Sequence, residues 1–132
     1  MKWKRSERLV DMTRHLIDCP QELIPLTFFS ERYQSAKSSI SEDLTIIKET
    51  LEASGTGKLT TVAGAAGGVR YIPKMAANDV KDVIAILMEE LGQQDRLLPG
   101  GYLFMADLLG NPKLMDRVGK VFASAFAEKD ID

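Results

Sequence analysis

Apolar residues recur at the spacing of amphipathic helices in three segments of the first half of the chain. They predict helices over residues 6–18, 25–33 and 35–54, the first ended by Pro20 and the third by Gly55. The third helix has the most regular apolar stripe, formed by Ile40, Leu44, Ile47 and Leu51. The polar residues opposite this stripe leave a second, solvent-facing surface on the same helix.

The pattern then changes from helical spacing to strand formers. Residues 59–62 and 69–72 are rich in β-branched and aromatic side chains, and the segment between them, 64–68, contains only glycine and alanine. We therefore expect a β-hairpin that ends before Pro73. Three short helices completed by a hairpin define a winged helix-turn-helix domain, a mostly α, α+β fold, which we expect to span residues 1–74.

A second region is predicted over residues 75–132. Apolar stripes indicate helices over residues 78–92 and 113–128, separated by the apolar segment LLPGGY at positions 97–102. The strand-forming sequence in this region is too short to complete an independent α/β domain. We expect its apolar surface to be covered by further sequence or by another subunit.

Charge is unevenly distributed between the two regions. Residues 1–74 carry eleven Lys and Arg against nine Asp and Glu, a net charge of +2, whereas residues 75–132 carry six against ten, a net charge of −4. The first eight positions hold a basic group that could contact DNA phosphates, namely Lys2, Lys4, Arg5 and Arg8. The alternative is a solvated basic terminus.

The polar face of the third helix is a candidate base-reading surface. In a helix-turn-helix unit, residues at the start of the second helix, the recognition helix, meet base edges in the major groove. The candidate DNA contacts on this helix are Lys37, Ser38, Ser39, Ser41, Glu42, Thr45 and Lys48. Glu42 is the candidate base reader, because a carboxylate accepts a hydrogen bond from cytosine, and the two lysines are candidate phosphate contacts. An ordinary solvated helix face with serine caps is the alternative.

The hairpin turn is almost free of side chains. Its residues Gly64, Ala65, Ala66 and Gly67 would let the backbone approach a phosphate closely, with Arg70 and Lys58 beside it. The alternative is a tight turn that needs glycine only for a positive φ.

Motifs of enzymes and of metal sites are incomplete. The segment GTGK at positions 55–58 resembles a phosphate-binding loop, but Glu52 and Leu59 occupy the positions that require Gly and Ser or Thr. His15 and Cys19 are the only residues of their kinds, which argues against a zinc site and a Ser-His catalytic set. We expect no catalysis, no metal and no cofactor. The single cysteine and the lack of an apolar run long enough to cross a bilayer indicate a cytoplasmic protein without membrane contact.

Four ordered motifs resemble the bacterial purine operon repressors of the Gram-positive type. They are LIPLTFFSERY at 23–33, AKSSISEDLTIIK at 36–48, GAAGGVRYIPK at 64–74 and LLPGGY at 97–102. The resemblance implies a homodimeric transcriptional repressor of purine biosynthesis genes. In that family an N-terminal winged helix domain binds double-stranded DNA, and a C-terminal phosphoribosyltransferase-like domain without transferase activity responds to phosphoribosyl pyrophosphate.

The resemblance also implies roles for particular segments. It makes residues 36–51 the recognition helix, 64–68 the wing, and 75–132 a helical linker with the first part of the phosphoribosyltransferase-like α/β domain. Tyr102 then lies near the effector and the dimer interface. Members of the family are about twice as long as this chain, so phosphoribosyl pyrophosphate is expected to bind only with sequence that follows Asp132.

Two other functions remain as alternatives. The winged helix could serve as a protein-interaction or dimerisation module, since a fold does not determine a function. Such a module would not need a basic terminus beside a hydroxyl-rich helix face, and this feature discriminates the two hypotheses. An active phosphoribosyltransferase is disfavoured, because the sequence contains no phosphate-binding loop.

Overall fold

The computed structural model of the chain describes residues 2–127 and residue 129. The chain divides into two compact units, Met1–Lys74 and Met75–Asp132, which we call unit 1 and unit 2. Among the residues described, no helix combines the length and apolar character needed to cross a membrane.

Unit 1 contains three helices, α1 (Arg5–Asp18), α2 (Leu26–Tyr33) and α3 (Lys37–Ser54). Each begins and ends within two residues of its predicted position, so these predictions are confirmed. The turn between α2 and α3 passes through Gln34, whose left-handed φ of 48° reverses the chain, and Gly55 ends α3 with a φ of 69°. The α2–turn–α3 segment is the helix-turn-helix unit.

Three antiparallel strands complete unit 1. They are β1 (Leu23–Ile24), β2 (Gly57–Val62) and β3 (Gly68–Pro73), in the order β1-β3-β2. The β2–β3 hairpin confirms the predicted wing. Strand β1 was not predicted, because two residues show no period, and its existence depends on pairing with β3 through Leu23 with Arg70 and Ile24 with Val69.

All helices and strands of unit 1 contribute to one hydrophobic core. Its buried members are Met12, Leu16, Ile24, Phe29, Tyr33, Ile40, Leu44, Ile47, Leu51, Leu59, Val69 and Tyr71. The core contains the whole predicted apolar stripe of α3, so its opposite face is directed to solvent.

Unit 2 is built from helices and one very short hairpin. Its helices are α4 (Ala77–Leu91), a 3₁₀ turn (Gln94–Arg96), α5 (Ala106–Leu109) and α6 (Pro112–Phe126). The strands β4 (Leu97–Leu98) and β5 (Tyr102–Leu103) pair across a turn in which Gly100 and Gly101 have positive φ. The two longer helices confirm the sequence prediction, except that the predicted end at Glu128 lies outside the described residues. Helix α5 was not predicted, because one helical turn has no measurable periodicity.

The buried part of unit 2 is small. Its buried apolar side chains are Val83, Leu108 and Leu114. The guanidinium of Arg96 is buried with them, and it donates hydrogen bonds to the carboxylates of Asp107 and Glu90 and to the carbonyl of Phe104. Most of the large apolar side chains exposed in the described structure belong to this unit, Met88 and Tyr102 being the most exposed of them.

Candidate nucleic-acid interface

The polar face of α3 presents most of the predicted contact residues to solvent. Ser38, Ser41, Glu42 and Thr45 are exposed, and Ser39 at the edge of the face is half-buried. The Thr45 hydroxyl donates to the Ser41 carbonyl at 3.0 Å, whereas the side-chain hydroxyls of the three serines make no hydrogen bond within the described part of the chain. This surface therefore offers hydroxyl groups that are free to bond to a ligand.

The start of α3 is not capped by a side chain. Its N-cap residue is Ala36, which has no hydrogen-bonding side chain, and the hydroxyl of the preceding Ser35 donates instead to the Tyr33 carbonyl at 3.2 Å. The interpretation of the serines as helix caps is therefore wrong.

Both predicted lysines of α3 are exposed, and they line grooves beside the wing. Lys48 borders a groove of about 470 Å³ between α3 and the sheet, together with Ser41, Thr45 and Thr61. Lys37 borders a cleft of about 220 Å³ formed with the start of α2 and the hairpin turn. A lysine thus borders each of the two spaces between α3 and the β2–β3 hairpin, and in the larger one Lys48 is accompanied by Glu49 and Glu52.

The basic start of the chain is not a free arm, which corrects the sequence interpretation. Helix α1 begins at Arg5, and the guanidinium groups of Arg5 and Arg8 both bind the carboxylate of Asp43 on α3. Lys2 and Lys4 are exposed and have no ion-pair partner among the described residues. Two of the four cations are therefore engaged inside the domain.

Both carboxylate oxygens of Asp43 accept hydrogen bonds from arginine. Its side chain is 1% exposed, and it accepts a hydrogen bond from Arg5 Nε on Oδ1 at 2.9 Å and two from Arg8, Nε at 3.0 Å and a terminal nitrogen at 2.8 Å, on Oδ2. The terminal nitrogen of Arg5 lies 3.6 Å from Oε2 of Glu42, the next residue on α3. The candidate base reader is thus an ion-pair partner of Arg5.

Sequence reasoning missed the role of Asp43, although a signal was present. Asp43 lies three residues after Ile40 and four before Ile47, so it occupies a core-facing position of the α3 stripe. A carboxylate at such a position requires a buried cationic partner, and Arg5 and Arg8 supply it from successive turns of α1.

The wing divides into a buried base and an exposed tip. A Cβ on Gly67 would lie 2.1 Å from the Val62 carbonyl oxygen, and one on Gly68 would lie 2.2 Å from that of Ile24, so both glycines are needed for close packing of the strands. Gly64, with a φ of 105°, and the following Ala65 and Ala66 form the exposed tip. Residues 61–66 of the hairpin are exposed, whereas Gly67 is half-buried and Gly68 is buried.

Two predicted residues lie away from the group around α3. Arg70 pairs with Thr60 and Leu23 in the middle of the central strand β3, so it does not flank the turn as expected. It is half-buried, and its buried Nε has no hydrogen-bond partner among the described residues. Tyr102 belongs to β5 of unit 2, where its side chain is 72% exposed.

A second polar cluster fixes α2 against α1. Arg32 Nε donates to Asp11 Oδ2 at 2.7 Å, and the Tyr33 hydroxyl donates to the same oxygen at 2.8 Å. The hydrogen bond from Arg32 lowers the pKa of Asp11, whereas burial, followed by the bond to Asp11, raises the pKa of Tyr33. Both groups keep their usual charge at neutral pH, so the cluster holds α2 of the helix-turn-helix unit against α1.

The lone histidine and cysteine make no metal site in the described structure. The His15 ring stacks on Phe28 with ring centroids 4.8 Å apart, which makes it a half-buried packing residue. Burial, with smaller contributions from Glu22 and Asp18, raises the pKa of the Cys19 thiol and keeps it protonated. No group of three or more potential ligands is gathered among the described residues.

The fold and the exposed face of α3 define a winged helix-turn-helix protein. Residues 4–73 match the family model described as the N-terminal part of the bacterial purine repressor. The chain belongs to this family, as the four sequence motifs predicted.

Three relatives show how far the similarity extends. Over all 132 residues the chain is 59% identical to the purine biosynthesis transcriptional repressor PurR of Bacillus subtilis (strain 168), of which it covers 46%. It is 42% identical over 132 residues to the probable purine biosynthesis transcriptional regulator PurR of Streptococcus pneumoniae. It is 40% identical over 129 residues to the purine biosynthesis transcriptional activator PurR of Lactococcus lactis. The chain covers 48% of each of these two proteins. The chain spans about half the length of these curated relatives.

Proposed function

We propose that this chain is the DNA-binding part of a transcriptional repressor of purine biosynthesis genes. The observation that carries the proposal is the exposed, hydroxyl-rich face of α3, the second helix of the α2–turn–α3 unit, in a chain that belongs to the purine repressor family. Double-stranded DNA at a purine operon control region is the proposed partner, and the bacterial cytoplasm is the proposed location.

In this proposal α3 enters the major groove. The hydroxyls of Ser38, Ser41 and Thr45 face base edges, where a hydroxyl can donate or accept, and Ser39 lies at the rim of the contact. Phosphates on either side of the groove are contacted by four exposed lysines, Lys2, Lys4, Lys37 and Lys48. The wing tip, residues 64–66, approaches the backbone of DNA without a charge of its own. A base-reading role for Glu42 would require its carboxylate to leave Arg5.

Unit 2 is proposed to be the start of a phosphoribosyltransferase-like domain that is completed by further sequence. Its small buried core and exposed apolar side chains support this reading. We infer that the complete protein is a homodimer that responds to phosphoribosyl pyrophosphate, with Tyr102 near the effector or the interface, and that it has no transferase activity. The regulatory names of the relatives support a role other than catalysis.

The test is binding of the 132-residue chain to a purine operon control region and to a scrambled duplex of equal length, titrated with salt. Tighter binding to the control region, with affinity falling as salt rises, is expected. Lys37→Ala should weaken binding to both duplexes by a similar factor and reduce the salt slope by about 1, because a phosphate contact carries no sequence information. Lys81→Ala on α4 removes the same charge outside the proposed interface and should change neither.

A second function is favoured by one observation. An open apolar groove of about 550 Å³ lies between α1 and α3, and Val10, Ile17 and Ile46 on its walls are exposed. An interaction module would use such a groove for a protein partner. Absence of binding to either duplex, together with self-association that Val10→Asp abolishes, would favour this function over DNA binding.

A further inference from the structure

Glu42 and Asp43 are neighbours in sequence, yet they hold Arg5 in different ways. Asp43 is buried and binds Arg5 through the inner Nε, which leaves the terminal nitrogens of Arg5 at the surface. The side chain of Arg5 is 54% exposed and that of Glu42 is 72% exposed. The Arg5–Glu42 pair therefore lies in solvent, on the edge of the proposed DNA-contacting face.

The charges of this cluster explain why a second acid is present. Arg8, whose side chain is 13% exposed, donates two hydrogen bonds to Asp43. Its positive charge is therefore matched by the one negative charge of that carboxylate. Arg5 is then a surplus cation at the start of α1, and Glu42 neutralises it. Without Glu42, the same surface would carry one net positive charge beside the recognition helix.

We propose that Glu42 competes with DNA phosphate for Arg5 and thereby weakens binding to DNA of any sequence. The inference rests on the proposed function, and it assigns Glu42 a role other than the base reading predicted from the sequence. Arg5 must exchange the Glu42 carboxylate for a phosphate oxygen when DNA binds. Because phosphate contacts are the same for every sequence, the cost of this exchange falls on all duplexes alike. The preference for one sequence over another is a difference between two binding free energies, so this exchange leaves it unchanged.

The proposal predicts the effect of neutralising Glu42. Exposed ion pairs are weak, so Glu42→Gln should raise the affinity for a scrambled duplex by about 2- to 5-fold at low salt. It should also make the salt dependence steeper, because the surface beside α3 gains one net positive charge. Glu49→Gln is the matched control, since Glu49 is exposed on the same helix and has no ion-pair partner among the described residues.

The experiment is a double-mutant cycle on the 132-residue chain. Glu42→Gln, Arg5→Gln and the double variant are titrated with scrambled and control-region duplexes at several salt concentrations, and Trp3 fluorescence during thermal unfolding checks that each variant is folded. Arg5→Lys is included as a second variant, because it keeps a cation beside Asp43 if Arg5→Gln proves unstable. The proposal expects the gain from Glu42→Gln to be lost in the Arg5→Gln background and to exceed the gain from Glu49→Gln.

Two outcomes would overturn the inference while leaving DNA binding intact. An equal gain in both backgrounds would mean that Glu42 acts only through its general negative charge. Unchanged affinity for scrambled DNA, with a lost preference for the control region, would mean that Glu42 reads a base. Failure of the parent chain to bind either duplex would instead overturn the proposed function, and this result is visible before any variant is compared.

Discussion

Each unit buries one charged side chain, and the sign of that charge differs. In unit 1 a buried carboxylate, Asp43, is held by two guanidinium groups, whereas in unit 2 a buried guanidinium, Arg96, is held by the carboxylates of Asp107 and Glu90. The outer members of each cluster reach solvent: they are Arg5, with Glu42 beside it, in unit 1 and the carboxylates of Asp107 and Glu90 in unit 2. The arrangement follows the uneven charge of the sequence, and it suits a first unit that meets phosphates and a second that does not.

The units also differ in how much apolar surface they bury. One continuous core joins all the helices and strands of unit 1, while the described part of unit 2 buries three apolar side chains and exposes many others. Stability grows with buried apolar area. We therefore expect the core of unit 1 to stabilise its own unit more than the core of unit 2 does.

The largest effect should come from the same truncation made in each core. Leu16→Ala, at a position that is 0% exposed in unit 1, should lower the free energy of unfolding by about 4 kcal/mol, and Leu108→Ala in unit 2 by about 2 kcal/mol, because fewer neighbours surround the second cavity. Urea unfolding measures both. Fluorescence of Trp3, the single tryptophan, reports unit 1, and far-UV circular dichroism reports the sum. Equal losses would show that unit 2 is as well packed as unit 1.

Removal of the buried charge in unit 1 should have the next largest effect. Asp43→Asn keeps the shape of the side chain but leaves Arg8 largely buried without a counter-charge, so it should lower the free energy of unfolding of unit 1 by about 3 kcal/mol. Glu42→Gln, the exposed neighbour, should change it by less than about 0.5 kcal/mol. A melt of Asp43→Asn that matched the parent protein would show that the cluster adds nothing to stability.

Acid should affect the two units through different carboxylates. Hydrogen bonds from Arg96 lower the pKa of Asp107, and a bond from Arg32 lowers that of Asp11. A lowered folded-state pKa contributes stability that is present above the unfolded value of about 3.9 and is lost as pH falls through the folded value. Between pH 6 and 2, Asp107→Asn should flatten the pH dependence of unit 2 alone and Asp11→Asn that of unit 1 alone. A variant that flattened both curves would contradict the separation of the two clusters.

The smallest effects concern backbone strain. Unit 1 has two left-handed residues other than glycine, Gln21 and Gln34, whereas the described left-handed residues of unit 2 are glycines. Gln34→Gly should therefore raise the free energy of unfolding by about 0.5 kcal/mol, because glycine adopts this φ without a steric penalty. Gly101→Ala, where a Cβ meets no atom within 4 Å, should lower it by about 1 kcal/mol through strain alone. Thermal melts of both variants check the opposite signs.

Periodicity predicted the elements whose residues are regularly buried. The stripe of α3 and the alternation of the hairpin each repeat over several residues, and the structure has both. Strand β1 is too short to repeat, and it exists only because β3 lies beside it. Local sequence could not reveal a pairing between residues so far apart in the chain.

The candidate interface was predicted less completely than the fold. A helical wheel identifies the exposed face of α3, but it does not show that Arg5 and Arg8 turn inward to Asp43, since a basic run beside a helix is equally compatible with a solvated arm. Arg70 was assigned to the turn from its distance in sequence, whereas strand pairing places it in the middle of the sheet. Long-range ion pairs and strand register are set by the folded chain as a whole.

Strand β1 also has a consequence for the order in which unit 1 folds. Its pairing with β3 joins residues about 45 positions apart, so the chain must close a long loop before either residue pair can form, and that closure costs conformational entropy. The local contacts of α1, α2 and α3 carry no such cost and form first. We expect the sheet edge at β1 to assemble late, on the native side of the folding barrier, so that weakening it hastens unfolding and leaves the refolding rate nearly unchanged.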